Sequence, residues 1–156
     1  MMRAAQATLG LSALLAIGVM SGALYSAPAP AASAAATKGL TTASGVYSAA
    51  QAEEGARLYA VRCAMCHGQM LEGTMETPAL KGKFIANWAR SPLGHLFEYV
   101  SEAMPQFAPG SLAPAENAAI IAFLLRENGM RTGNSPLPSD SEALKTITFM
   151  PDGAPN

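Results

Sequence analysis

The sequence has few aromatic residues, few charges of either sign, and only two cysteines and two histidines. Aromatic residues make up 6% of the chain and charged residues 13%, whereas hydrophobic residues, many of them alanine, reach 50%. Because alanine fills little volume, a core built from these side chains alone would be thin, and a large buried ligand would complete it. The formal net charge of −1 provides no basic surface for nucleic acid.

Two cysteines can form at most one disulfide, which excludes a scaffold held by several bridges. Both lie in the stretch "RCAMCHGQM", where two residues separate Cys63 from Cys66 and His67 follows directly. A disulfide between cysteines this close encloses a small loop, so it would add little stability and would suit redox exchange better. A thioredoxin-type dithiol needs a βαβ context that is lacking here, and a zinc site needs four ligands, for which His95 is the only other obvious donor.

The segment Cys63-Ala64-Met65-Cys66-His67 matches the attachment pattern of c-type haem. Two cysteines one helical turn apart can reach both vinyl groups on one edge of a haem, and the next residue then directs an imidazole at the iron. We therefore predict one covalently attached haem c, with Cys63 and Cys66 as thioether anchors and His67 as an axial ligand. A disulfide or another metal site is the alternative.

The sixth ligand of such an iron is sought among the methionines, because methionine sulfur opposite histidine raises the reduction potential and suits electron transfer. The candidates after removal of an N-terminal signal are Met65, Met70, Met75, Met104, Met130 and Met150. Met65 lies inside the attachment segment and Met70 only three residues after His67, so both should stay on the proximal side. We predict Met104, which follows a helix, precedes Pro105 and sits in a loop that can lie across the distal face.

Two alternatives to Met104 stay open. Met75 is eight residues from His67, so the reach of the chain does not exclude it, and Met104 would then fill a gap in the core. His95 is the other alternative, but it shares the polar side of its predicted helix with Glu98, which favours an exposed side chain.

Apolar periodicity predicts an all-α fold, with three or four helices joined by long ordered loops and no convincing strand. The first helix begins after Ser48, which fits a capping box with Gln51, and runs to the first cysteine. It contains Gly55, whose cost of about 1 kcal/mol in a helix would be offset by a tight crossing with another helix. Residues 68–90 are predicted to form a structured loop.

Two further helices are predicted in the second half of the chain. One begins with Ser91 as N-cap and Pro92 as the first helical residue, and ends before Met104. The other covers residues 114–128, with Gly129 just past its end. Residues 131–156 are predicted to be extended. The apolar residues predicted to anchor them to the domain are Leu137, Leu144, Ile147 and Phe149.

The N-terminal composition predicts export from the cytoplasm. Residues 9–24 are apolar but short for a membrane span, and small residues suited to a signal peptidase follow them. We predict a signal peptide and cleavage region at 1–35, a linker at 36–46, the folded domain at 47–130 and a C-terminal extension packed on it at 131–156. An uncleaved anchor is the alternative, and only then would the protein contact a membrane. In both cases we expect the folded domain to be periplasmic.

Residues 47–129 resemble the class I monohaem cytochromes c. The resemblance rests on "EGARLYAVRCAMCHG", on the Met-Pro pair and on the C-terminal helix. The segments "FIANWARSPLGHLFEYVSEAMP" and "MPQFAPGSLAPAENAAIIAFLLRENG" are similar to a bacterial periplasmic group, the mono- and dihaem variants, whose members often serve quinoprotein alcohol dehydrogenases. The tail "SPLPSDSEALKTITF" is similar to the C-terminal extension of that group. The resemblance implies a cytochrome c fold wrapped around one haem.

The resemblance also implies roles for individual residues. The carbonyl of Pro78 would accept the ring hydrogen of His67, and Trp88 would donate to a haem propionate. The alternatives are an ordinary turn proline and a core tryptophan. The residues implied to form the crossing of the first and last helices are Gly55, Tyr59 and Phe123. Ala113 departs from the family, which usually has a Ser or Thr cap there, so the start of the last helix should be weaker by about 1 kcal/mol.

As a function, the resemblance implies an electron carrier rather than an enzyme. One haem would cycle between Fe(III) and Fe(II), accepting electrons from a periplasmic dehydrogenase and passing them to an oxidase or another cytochrome. One alternative is a cytochrome subunit bound stably in a dehydrogenase complex. Another is a haem sensor or enzyme with a labile sixth ligand, against which the presence of Met104 argues.

Overall fold

The structure, a computed structural model, describes residues 40–151. The predicted signal peptide, linker residues 36–39 and the last five residues of the chain lie outside the described residues. None of the helices in the described range combines the length and the apolar character that a bilayer crossing requires.

The described residues form an all-α fold with one minimal sheet. Its elements are β1 (Leu40–Thr41), a 3-10 turn (Thr42–Ser44), α1 (Ala49–Arg62), α2 (Ala64–His67), α3 (Lys83–Trp88), α4 (Leu93–Ala103), α5 (Pro114–Glu127), α6 (Ser141–Lys145) and β2 (Ile147–Thr148). The predicted fold class is confirmed, but the described range holds six helices rather than three or four. Helices α2, α3 and α6 were not predicted as separate elements. Helix α2 directly follows α1 in the attachment segment, α3 lies in the predicted loop and α6 in the predicted extended tail, and helices this short show no apolar period.

Helix α1 begins as predicted, but its capping box is incomplete. The backbone N–H of Gln51 donates to the hydroxyl of Ser48 at 3.2 Å. The side chain of Gln51 does not reach back to Ser48. Its amide instead pairs with the backbone of Leu137, donating to the carbonyl at 3.0 Å and accepting from the N–H at 2.7 Å. A tertiary contact has therefore replaced the local one, and it ties the C-terminal extension to α1.

Helices α1 and α5 cross at Gly55, where the absence of a side chain allows the two backbones to touch. A Cβ atom at this position would lie 1.8 Å from the carbonyl oxygen of Ala119 and 2.9 Å from the Cβ of Phe123. One turn further along α1, the ring of Tyr59 packs on that of Phe123, with 5.0 Å between the centroids. The tight crossing expected to offset the cost of Gly55 is present, and it fixes the direction in which α1 enters the attachment segment.

The starts of α4 and α5 differ in how well the sequence predicted them. Helix α4 begins one residue later than expected, because Pro92 keeps an extended ψ of 134° and is the N-cap rather than the first helical residue. Helix α5 begins at Pro114 as expected. The carboxylate of Glu116 accepts from the backbone N–H of Ala113 at 2.8 Å. This bond satisfies one backbone donor at a helix start whose alanine N-cap has no side chain to contribute.

The two ends of the described chain pack together on the domain. Strands β1 and β2 pair in parallel, and the hydroxyl of Thr42 bonds both the carbonyl and the N–H of Met150, at 2.7 and 2.9 Å. Thr42 is fully buried, so residues 40–46, which were predicted to be part of a linker, belong to the folded unit. The four predicted anchors of the extension are buried as well; they are Leu137, Leu144, Ile147 and Phe149.

Candidate functional site

A cavity of about 710 Å³ lies between the attachment segment and helices α3, α4 and α5. Cavities of this size are typical of sites for cofactors and drug-sized ligands. All six residues singled out from the sequence line it: Cys63, Cys66, His67, Pro78, Trp88 and Met104. The fold therefore brings together residues that span 42 positions of the sequence.

The two cysteines are presented by the junction of α1 and α2. The N–H of Cys63 still bonds the carbonyl of Tyr59 at 2.9 Å, as in a continuing helix, and the N–H of His67 bonds the carbonyl of Cys63 at 3.0 Å. Both thiols are free rather than joined in a disulfide. Burial raises the pKa of the Cys63 thiol to about 11, so it is protonated at neutral pH. One helical turn thus carries both sulfur atoms and the imidazole to the same cavity.

The ring of His67 is held by a backbone carbonyl. Its Nδ1 lies 2.9 Å from the carbonyl oxygen of Pro78. A carbonyl can only accept a hydrogen bond, so Nδ1 carries a hydrogen; in the neutral ring, Nε2 is then the nitrogen that keeps its lone pair. Neutral imidazole with one nitrogen so held and the other free is the form in which histidine binds metals.

Hydrogen bonds hold the loop after His67 in place. The N–H of Gly73 donates to the carbonyl of His67 at 2.8 Å, and the hydroxyl of Tyr59 donates to the carbonyl of Gly68 at 2.6 Å. Gly68 and Gly73 have φ values of 79° and 69°, in the left-handed region that favours glycine. Burial raises the pKa of Tyr59 to about 12, so its hydroxyl keeps the donating proton well above neutral pH.

Met104 reaches the cavity because of the helix that precedes it. Leu96, Val100 and Met104 all line the cavity and follow one another at intervals of four residues. The Met104 side chain is half-buried, whereas Met75 is fully exposed. His95 is exposed and is not among the cavity-lining residues. Of the three candidate ligands Met104, Met75 and His95, only Met104 lines the cavity.

Trp88 stands at the end of α3, where its ring packs against that of Tyr99 with 5.9 Å between the centroids. Tyr99, Asn87 and Ser91 also line this end of the cavity and add polar groups that the sequence analysis did not single out. Tyr99 could have been found, because it lies three residues after Leu96 on the cavity side of α4. Asn87 and Ser91 carried no comparable signal, since α3 was not expected.

The residues that line the cavity supply the donor set expected for the predicted haem. Two thiols, one imidazole with a free Nε2 and one thioether line a single cavity, and most of the other residues around it are apolar. These are the ligands of a c-type haem, and the apolar walls suit its porphyrin. Across residues 40–151 no three histidine, cysteine or acidic side chains gather to hold a separate metal ion. The residues fit haem c and do not support the zinc or disulfide alternatives.

The match to a known protein family agrees with this interpretation. Residues 50–124 match the family described as "Cytochrome C oxidase, cbb3-type, subunit III". Among solved structures, the chain is similar to a chain in the crystal structure of the sulfane dehydrogenase SoxCD from Paracoccus pantotrophus, at 26% identity and a TM-score of 0.45. That match covers 74% of this chain and 61% of the other. None of the curated proteins matches. The family match and the attachment motif together identify residues 50–124 as a class I c-type cytochrome domain, an electron carrier that binds haem c covalently through Cys63 and Cys66.

Proposed function

We propose that this cytochrome is a periplasmic electron-transfer protein in which His67 and Met104 would be the protein ligands of the haem iron. The observation that carries the proposal is the placement of both ligands on one cavity. Pro78 holds the His67 ring with Nε2 available, and the half-buried residue Met104, which follows α4, lines the same cavity. When bound, the haem supplies a one-electron Fe(III)/Fe(II) couple.

The chain's own residues would tune that couple in two ways. The hydrogen bond from His67 to Pro78 fixes the tautomer and raises the basicity of the ligating nitrogen. The thioether of Met104 would favour the reduced iron and so raise the reduction potential.

Exposed apolar side chains at the mouth of the cavity support transient docking of redox partners. Met65 is 79% exposed and Phe107 59% exposed, and both line the cavity. A small apolar contact of this kind forms weak, short-lived complexes, as electron carriers require. We propose a periplasmic dehydrogenase, such as a quinoprotein, as the donor, on the basis of the resemblance in sequence. We propose an oxidase or another cytochrome as the acceptor.

The export assignment belongs to the same proposal. Haem is attached to motifs of this kind outside the cytoplasm, and the composition of residues 1–35 is that of a signal peptide. We expect the mature protein to begin within residues 34–36, with its domain extending from residue 40 through the C-terminal extension. Intact-mass measurement of the protein purified from the periplasm tests this, and a mass that retains residues 1–32 would contradict it.

The docking proposal is tested by stopped-flow reduction of the oxidised holoprotein by a quinoprotein alcohol dehydrogenase and its substrate. We expect saturable reduction that Phe107→Ser slows severalfold, and the midpoint potential of each variant is measured alongside so that lost docking is separated from a changed driving force. Val61→Ser is the matched control, because Val61 is 79% exposed on α1 and is not among the cavity-lining residues. Equal effects of the two variants would contradict docking at the cavity mouth.

The two alternative functions, a haem sensor or enzyme and a stable subunit of a dehydrogenase complex, predict different experimental results from an electron carrier. A haem sensor or enzyme with a labile sixth ligand would bind carbon monoxide readily in its reduced form, whereas the proposed ligation predicts little binding. A stable subunit would co-purify with a dehydrogenase in fixed ratio, whereas a carrier is recovered alone.

A further inference from the structure

The C-terminal extension contacts the back of one cavity wall through Phe149. The N–H of Phe149 donates to the carbonyl of Ser91 at 2.9 Å, and its carbonyl accepts from the N–H of Arg90 at 2.8 Å. These two bonds hold the short connection between α3, which ends at Trp88, and α4. Trp88 and Ser91 both line the cavity, so the bonds attach the extension directly to its wall.

The side chain of Phe149 makes a second contact with the same wall. It is 1% exposed, and its ring meets that of Phe84 edge to face, with 6.2 Å between the centroids and 84° between the planes. Phe84 lines the cavity, whereas Phe149 lies behind it. Edge-to-face pairs of this geometry are attractive beyond the area they bury, so the ring of Phe149 constrains where α3 lies.

The connection that Phe149 holds is strained. Arg90 has a φ of 67°, in the left-handed region that non-glycine residues rarely adopt. Such a conformation persists only where the surroundings determine it. Two surrounding bonds come from Phe149, and Phe149 is itself fixed by its neighbour Met150, whose backbone is bound twice by Thr42.

We propose that Phe149 is a positioning residue for the haem cavity, acting through Phe84 and the connection between Trp88 and Ser91. The inference rests on the proposed function, since it concerns the haem that this cavity would hold. A wall that is free to move admits water, and water stabilises the more highly charged Fe(III) form. Loss of the Phe149 contacts should therefore lower the reduction potential, although Phe149 does not touch the cavity.

The test compares Phe149→Ala and Phe149→Leu with Leu144→Ala in the full-length holoprotein. Leu144 is the matched control, because it is fully buried in the same extension and is not among the cavity-lining residues. The readouts are the midpoint potential and the near-ultraviolet circular dichroism of Trp88, the single tryptophan of the chain. We expect both Phe149 variants to reduce the equilibrium constant of haem reduction severalfold, where tenfold equals about 59 mV. We also expect them to change the Trp88 signal.

Leu144→Ala should lose a similar amount of stability while keeping the wild-type potential and Trp88 signal. The proposal is overturned if Leu144→Ala shifts the potential as far as the Phe149 variants, or if the Phe149 variants match the wild type. Where Phe149→Ala does not fold, Phe149→Leu decides, because it keeps the backbone bonds and most of the apolar volume. Failure of the proposed ligation is distinguishable, since it would show in the absorption spectrum of the wild type.

Discussion

Replacing Gly55 by alanine tests how tightly α1 and α5 cross. The added Cβ would lie 1.8 Å from the carbonyl oxygen of Ala119 and 2.5 Å from its carbonyl carbon. Real Cβ atoms do not approach other atoms closer than 3.0 Å, so the helices would have to part by more than 1 Å. A backbone carbonyl cannot rotate away as a side chain can, and parting the helices also loosens the contact between Tyr59 and Phe123.

The expected change in the free energy of unfolding of Gly55→Ala follows from two opposed effects. Overpacking a well-packed contact costs about 1–3 kcal/mol, and the rigid obstacle places Gly55→Ala at the upper end. Alanine is favoured over glycine within a helix by about 1 kcal/mol. We therefore expect the free energy of unfolding to fall by about 2 kcal/mol. In urea this lowers the midpoint by roughly 1 M for a slope of about 2 kcal/mol/M.

The assay is urea unfolding of the holoprotein, followed by far-ultraviolet circular dichroism. Ala60→Gly is the control, because Ala60 is exposed on the same helix and isolates the propensity contribution, with an expected loss of about 1 kcal/mol. If Gly55→Ala instead raised the free energy of unfolding by about 1 kcal/mol, helix propensity alone would account for the change. The close crossing of α1 and α5 would then be refuted.

Two further predictions concern side chains outside the crossing. Tyr59→Phe removes the hydrogen bond to Gly68 and should lower stability by about 1 kcal/mol at pH 7. Burial raises the pKa of Tyr59 from 10.0 to about 12, so its contribution to the free energy of unfolding is intact below pH 10 and lost as the pH rises towards 12. Urea unfolding across this range should show a smaller alkaline loss of stability for Tyr59→Phe than for the wild type. Equal losses would contradict the assignment. Hydrogen bonds from Lys145 and Ser141 lower the pKa of Glu98. The contribution of this carboxylate to the stability of the fold is therefore present at neutral pH and lost as the pH falls below about 4.5. Acid titration of Glu98→Gln should therefore show less acid destabilisation than the wild type, and an unchanged acid limb would rule out a role for this carboxylate.

The features predictable from the sequence are those that depend on neighbouring residues. The attachment segment could be read directly, since Cys63, Cys66 and His67 lie within one helical turn. Ser48 and Pro114 mark helix starts through local rules, and both act where expected. The helical interval of four residues along α4 is also local, and it carries Met104 to the cavity.

The features that escaped prediction depend on residues distant in the sequence. The side chain of Gln51 had a local partner available in Ser48 but bonds the backbone of Leu137 instead. Residues 40–46 have the composition of a linker, yet Thr42 is buried because Met150 supplies both of its partners. No local rule could show that Phe149 would lie against the cavity wall.

The most direct test of the central claim is the absorption spectrum of the oxidised holoprotein, compared between the wild type, Met104→Ala and Met75→Ala. Ligation by His67 and Met104 predicts a sulfur-to-iron charge-transfer band in the wild type. The band should persist in Met75→Ala, because the side chain of Met75 is fully exposed. It should disappear in Met104→Ala. A wild type without the band, or a Met104→Ala variant that keeps it, would contradict the account.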